Sequence, residues 1–249
     1  MLEVHSPAHA APASRYHISL AVDDSEIREA QRLRHQVFAE EMGARLSPAL
    51  PGHDTDLYDP YCDHLLVRDM VSGEVVGTYR ILPPDAANRV GSYYSEQEFD
   101  LTRLGFLRPR MAELGRSCVH PDHRSGAVIA RLWKGLADYM LRDGHEYIVG
   151  CASIGMADGG HAAASVYRQL AERHLAPVEW RSTPRCRLPV ESLDDGRTAT
   201  LPPLIRGYAR LGARVCGEPA WDPDFNTADL LMLLPMAQLN RSYVRRLVA

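Results

Sequence analysis

Ala112-Glu113-Leu114-Gly115-Arg116-Ser117-Cys118-Val119-His120-Pro121-Asp122-His123-Arg124-Ser125-Gly126-Ala127-Val128 reads as a strand, a tight turn and the start of a helix. Ala112–Val119 favours extended backbone, Pro121 and Gly126 punctuate the turn, and Val128, Leu132, Leu136 and Tyr139 follow at helical spacing towards Met140. A helix start after such a turn presents free backbone N–H groups and a positive dipole end, which suits a phosphate. Arg124 adds a charge-assisted donor. A plain connection between elements accounts for one turn glycine equally well. Glu113 and Arg116 are an odd number apart, so on an unbroken strand they face opposite sides. If both serve one site, an extra residue interrupts the ladder. Gly115 is its natural place, so a β-bulge is expected over Gly115–Ser117, freeing a backbone N–H to polarise a carbonyl.

Outward from this unit the chain alternates strand-like and helix-like runs. Asp23 or Asp24 caps a helix with Glu26 as capping-box partner, and Arg34 and Phe38, four apart, share one of its faces. Ser47 to Asp63 is a polar loop, and His64–Val67 with Val75–Leu82 forms a hairpin around Ser72-Gly73. Beyond Met140, Tyr147–Ala152 is a strand, His161–His174 a helix and Arg181–Val190 a strand. Pro202–Leu211 is helical, Leu230–Leu234 a strand and Ala237–Leu247 a closing amphipathic helix. Residues 1–14 read as a flexible leader before one domain spanning 15–249. The sum is α/β: a mixed central β-sheet flanked by helices, without repeats or linkers.

The 249 residues carry 28 basic and 32 acidic side chains, a net charge of −4, with 45% apolar and 24% charged residues. Those values exclude disordered, collagen-like and small disulfide-scaffold classes. A mildly acidic balance argues against a nucleic-acid partner. Lys134 is the only lysine, so individual arginines carry less meaning than usual. The five cysteines are odd in number and widely spaced, and no CxxC pair suggests zinc; a reduced, cytoplasmic setting is expected. The most apolar stretch, Leu230 to Met236, is interrupted by Pro235 and falls far short of the roughly 20 residues of a membrane helix.

Four motifs occur in order: Arg34-x-x-Val37-Phe38, Asp56-x-x-Asp59, Gly77-x-x-Arg80 and Glu113-Leu114-Gly115-Arg116. This series resembles the autoinducer (acyl-homoserine lactone) synthases of the GNAT superfamily, where such motifs surround the meeting point of an amine and an acyl thioester. Those synthases usually carry a Trp six residues beyond the motif Phe, where this chain has Ala44. The run from Glu113 to Arg124, Leu132-Trp133-Lys134-Gly135-Leu136, Pro203-Leu204-Ile205-Arg206-Gly207-Tyr208 and Asp224-Phe225-Asn226-Thr227-Ala228-Asp229 are similar instead to the ornithine N-acyltransferases of bacterial aminolipid synthesis. That resemblance implies a GNAT-like single domain and a 3-hydroxyacyl–acyl carrier protein donor. It implies L-ornithine as acceptor, lyso-ornithine lipid as product, and a possible peripheral contact with the inner membrane. The phosphopantetheine thioester takes the place of a tightly bound cofactor. The GNAT phosphate pattern is out of register, since counting from Arg124 puts Ala127 and Ile129 at its small positions.

On that resemblance Glu113 is the catalytic base that takes a proton from the amine. Arg34, Phe38, Asp56, Asp59, Arg80 and Arg116 form the acceptor site, and Cys118, Val119, Arg124, Ser125, Gly126 and Ala127 meet the donor. The bland alternatives are a Glu113–Arg116 ion pair, a salt-bridge network of arginines and aspartates touching no ligand, and Phe38 as core. His120 and His123, beside Asp122, lack a third ligand at sensible spacing, so no metal is expected. Arg108, Arg110 and Arg124 are candidate contacts for an acidic carrier protein. Arg241, Tyr243, Arg245, Arg246 and Leu247 suit an anionic membrane or a solvated face. Asp222, Asp224 and Asp229 are candidates for the side-chain ammonium of ornithine, and a capped, solvated loop explains them as well. The rival functions are an autoinducer synthase using S-adenosylmethionine, an N-acyl amino acid synthase with another amino acid, and a non-catalytic carrier-binding module.

Overall fold

The computed structural model describes residues 14–46 and 49–240. Residues 1–13 of the expected leader and residues 241–247 of the expected closing helix lie outside them. The chain runs β1 (Tyr16–Leu20), α1 (Asp24–His35), β2 (Asp63–Asp69), β3 (Val75–Leu82), α2 (Pro84–Val90), β4 (Phe99–Asp100), β5 (Met111–Val119) and α3 (Ala127–Arg142). It continues through β6 (Tyr147–Gly155), α4 (His161–His174), β7 (Thr183–Pro184), α5 (Val190–Leu193), α6 (Pro203–Leu211), β8 (Arg214–Val215), β9 (Ala220–Asp222) and β10 (Thr227–Pro235). An eight-stranded sheet has the order β1-β2-β3-β5-β6-β10-β8, with β9 also paired to β10. Among the strands named above, only β5 and β6 pair in parallel, and Leu175 makes an isolated parallel bridge to Val215.

Alternation along the hairpin places the helices. Leu65 and Val67 of β2 pack under α3 with Val128, Leu132 and Leu136, whereas Leu66 faces α1 with Ala30 and Leu33 on the other side. All eight residues of β3 are buried, as covering both faces of a strand demands. Asp23 caps α1 by accepting from the N–H groups of Ser25 and Glu26, and Glu26 reaches back to the N–H of Val22 at 3.0 Å.

Two features of the sheet shape the site. β5 and β6 pair only over Met111–Glu113 and Tyr147–Val149, and beyond that they fork. Gly150 sits in the fork, where a Cβ would lie 2.3 Å from the Leu114 carbonyl oxygen. On the other side of β5, Thr78 pairs with Cys118 and Arg80 with Gly115, so two steps on β3 match three on β5. The expected bulge is present. Its left-handed residue is Arg116, at φ 50°, rather than Gly115.

Two expectations are corrected, on Arg181–Val190 and on the closing helix. Arg181–Val190 is not a continuous strand: Thr183–Pro184 pairs with β4 in a separate two-stranded sheet, Arg187 makes an isolated antiparallel bridge to Ala220, and Val190 opens the short α5. Pro184 and Pro189 deprive that stretch of ladder donors. α1 (Asp24–His35) widens at its end into a π-helical turn over Gln36–Glu41, closed by the Met42 N–H on the Val37 carbonyl. The described start of the Ala237–Leu247 segment is a 3-10 turn over Met236–Gln238, not α-helix.

Candidate active site

Below the bulge, three arginines and three aspartates form a closed ring. Arg34 bonds Asp54 at 2.8 Å and Asp59 at 2.9 Å; Arg80 bonds Asp56 at 2.7 Å and Asp59 at 3.0 Å; Arg116 bonds Asp54 at 2.9 Å and Asp56 at 3.3 Å. Each cation bridges two anions and each anion two cations, so the ring is neutral. The arginines hold the carboxyls of Asp54 and Asp59 below the usual carboxylate range against the upward push of burial. Arg34 is completely buried and reaches no cavity; it ties the loop to α1. Asp54, which the sequence reading passed over, holds a third of the ring; its cue was membership of the same acidic loop.

Above the ring opens a cavity of about 310 Å³ where β5 leaves its neighbours. Phe38, Arg80, Glu113, Arg116, Cys118, Val119 and Arg124 line it, so seven of the expected site residues converge. The Arg116 guanidinium lies between the rings of Tyr94 and Phe225, at 4.8 and 4.9 Å from their centroids. Phe38 meets Phe225 edge-on. Asp56 and Asp59 reach the cavity only through Arg80 and Arg116. Ser125, Gly126 and Ala127 are exposed on the turn and do not line it. Arg124 pairs at both guanidinium nitrogens with Glu41 (2.6 and 2.7 Å), Arg108 with Glu96 and Arg110 with Glu146.

Glu113 is 4% exposed and makes no ion pair with Arg116 among the described residues. Its carboxylate accepts from the N–H groups of Tyr94 (2.5 Å) and Ser95 (2.7 Å), at the start of a 3-10 turn, and from the Ser95 hydroxyl. Burial raises its pKa above the ordinary carboxylate value, with these donors and Arg80 pulling it back. The Ser95 hydroxyl accepts in turn from the Cys151 thiol at 3.5 Å.

Cys151 leads to a second acidic group. Its Sγ and carboxylate oxygens of Glu98 and Asp229 all lie within 4.8 Å of one another, a spacing that a cation could also occupy. Asp229, 4% exposed, lines the cavity and accepts from Thr227 Oγ1 at 2.9 Å; Glu98 faces it, with its Oε2 sealed from solvent and without a hydrogen-bond partner among the described residues. Burial and then the neighbouring acid push Glu98 up to about 10, and burial raises Asp229. The pair therefore keeps a proton near neutrality. Neither makes an ion pair among the described residues, unlike the cavity's arginines. Sequence reading named Asp229 and missed Glu98, which no short-range motif marks.

The cavity thus combines a buried carboxylate of raised pKa, backbone dipoles fixed around it, and a neutral ion-pair ring beneath. The family model described as an acetyltransferase (GNAT) domain matches residues 33–134. The L-ornithine N(alpha)-acyltransferase of Rhodobacter capsulatus is 41% identical, over 96% of this chain and 98% of the relative. That of Rhizobium meliloti is 37% identical, over 95% and 88%. The AHL synthase LasI has the same fold, with a TM-score of 0.53 at 16% identity over 92% of this chain and 96% of that one. By these matches, which run the length of both sequences, the chain is an acyltransferase and belongs to the L-ornithine N(alpha)-acyltransferase family.

Proposed function

We propose that the chain transfers a 3-hydroxyacyl group from the phosphopantetheine thioester of acyl carrier protein to the α-amine of L-ornithine, giving lyso-ornithine lipid. The observation that carries the acceptor is the Glu98–Asp229 pair, which brings an unneutralised acid into the cavity of Glu113. Ornithine brings two ammonium groups. One is spent in the reaction, and the other needs a buried counter-charge. The sulfonium of S-adenosylmethionine is also a cation but donates no hydrogen bond, so a buried acid there matches the ornithine ammonium better.

In this reading Arg116, 11% exposed at its side chain, receives the acceptor carboxylate with Arg80 beside it. Arg34, Asp54, Asp56 and Asp59 are positioning residues. Glu113 takes one proton from the α-ammonium, directly or through water, and its raised pKa makes it a better base than an exposed carboxylate. The free amine attacks the thioester carbonyl, whose oxygen is met by N–H groups at the bulge, where Arg116 and Ser117 lack partners on β3. The C–N bond forms, the C–S bond breaks, and the second amine proton leaves with the thiolate. The pantetheine arm runs past Cys118 and Val119 to the turn Arg124–Ala127, where the carrier docks. The acyl chain enters an apolar channel between α3, β6 and β10, lined by Leu136, Ala137, Ile148, Met232 and Leu234. No helix among the described residues is long and apolar enough to cross a membrane. In this reading the reaction runs in the cytoplasm, and the lipid product leaves through a peripheral contact with the inner membrane.

Purified protein supplied with 3-hydroxyacyl–acyl carrier protein and a mixture of ornithine, lysine, norvaline, tyrosine and S-adenosylmethionine should yield mainly N-acylornithine by mass spectrometry. Norvaline is ornithine without the side-chain ammonium, so Asp229→Asn should lower the ornithine-to-norvaline ratio of kcat/KM by roughly 10- to 100-fold, the scale of a charged hydrogen bond. A homoserine lactone product, or an unchanged ratio, overturns the acceptor assignment.

A further inference from the structure

The cavity and the apolar channel adjoin across Leu114, Cys151 and Tyr208, which line both, and a chain passing from one to the other crosses this neck. Polar atoms gather at this one place. The hydroxyls of Tyr79, on β3, and Tyr208, on α6, are hydrogen-bonded to each other, and Ser117 from the bulge and the Trp133 indole also face the Tyr79 oxygen. Trp133 Nε1–H is sealed from solvent and meets no acceptor at hydrogen-bonding geometry among the described residues. The ring is held there: it packs 6.0 Å from the Tyr208 ring, and at Gly207 a Cβ would come within 2.2 Å of its Cη2 atom. A buried donor without an acceptor is rare, because folding leaves its desolvation uncompensated. Here it stands at the entrance to an otherwise apolar channel. A plain alkyl chain passing the neck would leave it unmet.

We propose that Trp133, Tyr79 and Tyr208 read an oxygen substituent on the acyl chain, close to its carbonyl, and so set donor specificity. The inference rests on the reading that the thioester carbonyl sits between Glu113 and the bulge. The neck then lies beside the third carbon, two beyond the reacting one. A hydroxyl there accepts from the indole N–H and donates to a tyrosine oxygen, filling both roles. A 3-oxo group accepts only, and an unsubstituted chain does neither.

The test is competition between 3-hydroxyacyl– and unsubstituted acyl–carrier protein of equal length, with ornithine as acceptor, for the wild type, Trp133→Phe and Tyr208→Phe. A 3-oxoacyl donor forms a third arm. The wild type should favour the hydroxylated donor at least tenfold, with the oxo donor between. Each substitution should cut that preference roughly five- to tenfold, the scale of one neutral hydrogen bond. Loss of packing alone slows both donors together and leaves the ratio intact. Calorimetric binding of 3-hydroxyacyl-pantetheine against acyl-pantetheine gives the same comparison without turnover. A preference that survives in both variants overturns the proposal while the acyltransfer reading stands. A wild type without preference, in turnover and in binding, overturns it too. Absence of any acylornithine with a preserved binding preference instead removes the acyltransfer reading and leaves the neck assignment.

Discussion

Glu113 is held by three donors and still has its pKa raised, so burial outweighs hydrogen bonding at this carboxyl. That balance predicts the effect of Glu113→Gln. The amide cannot take a proton from the amine, so kcat should fall about 10²- to 10⁴-fold, the usual span for a general base. One amide hydrogen would also face the N–H groups of Tyr94 or Ser95, costing about 1–3 kcal/mol in a urea melt. A variant with near-normal turnover would remove Glu113 from the chemistry. Arg34 belongs to a different kind of position. Arg34→Ala leaves Asp54 and Asp59 buried with half their cations gone and should destabilise the fold by about 3–5 kcal/mol. Arg34→Lys should recover little, since one ammonium cannot reproduce the guanidinium's bonds to both aspartates. Urea denaturation of the two variants side by side measures this, and full rescue by lysine would argue against the ring's geometry.

At the scale of elements, the fork between β5 and β6 depends on how closely their backbones approach at Gly150. Gly150→Ala puts a methyl against the Leu114 carbonyl, which must shift, and overpacking of this kind costs about 1–3 kcal/mol. Because Leu114 lines both the cavity and the channel, the same substitution should impair turnover as well as stability. Loss of stability with normal kinetics would show that the fork does not position the site. The fork itself was not legible in the sequence, although both of its strands were. Long periodic segments announced themselves: β3, α3 and α4 fall where alternation or helical spacing puts them. The bulge was also readable, because two residues wanted in one cavity had the wrong parity. What escaped were features whose cause lies across the fold. The π-helical turn over Gln36–Glu41 leaves no mark in apolar spacing. Pairings of two or three residues, such as β4 with β7, carry too little pattern to be seen, and prolines after Arg181 hid inside a run that looked extended. Glu98 needed the third dimension to meet Asp229, and Phe225 to meet Arg116.

For the whole molecule, acids shifted in opposite directions set the dependence of stability on pH. Asp54 and Asp59 have folded pKa values below the ordinary one, so their contribution is complete above about pH 4 and is lost as pH falls through the folded values. Glu98 works the other way. Its folded pKa is pushed up to about 10, so the unfolded chain has released a proton that the folded chain still holds. Stability from this group is full below the unfolded pKa of about 4.3 and declines as pH rises, by up to about 1.4 kcal/mol per pH unit for one proton. Thermal melts from pH 6 to 10 should therefore show a falling Tm for the wild type and a shallower fall for Glu98→Gln. Parallel limbs would remove Glu98 from the titration. Function enters through the same group. As pH rises the Glu98–Asp229 pair gains negative charge, and a ligand ammonium gains a stronger partner. Ornithine should raise Tm more at pH 9 than at pH 6, norvaline should show no such growth, and Glu98→Gln should abolish the difference. If ornithine and norvaline stabilise alike at both pH values, the pair is a cost of the fold and does not read the acceptor.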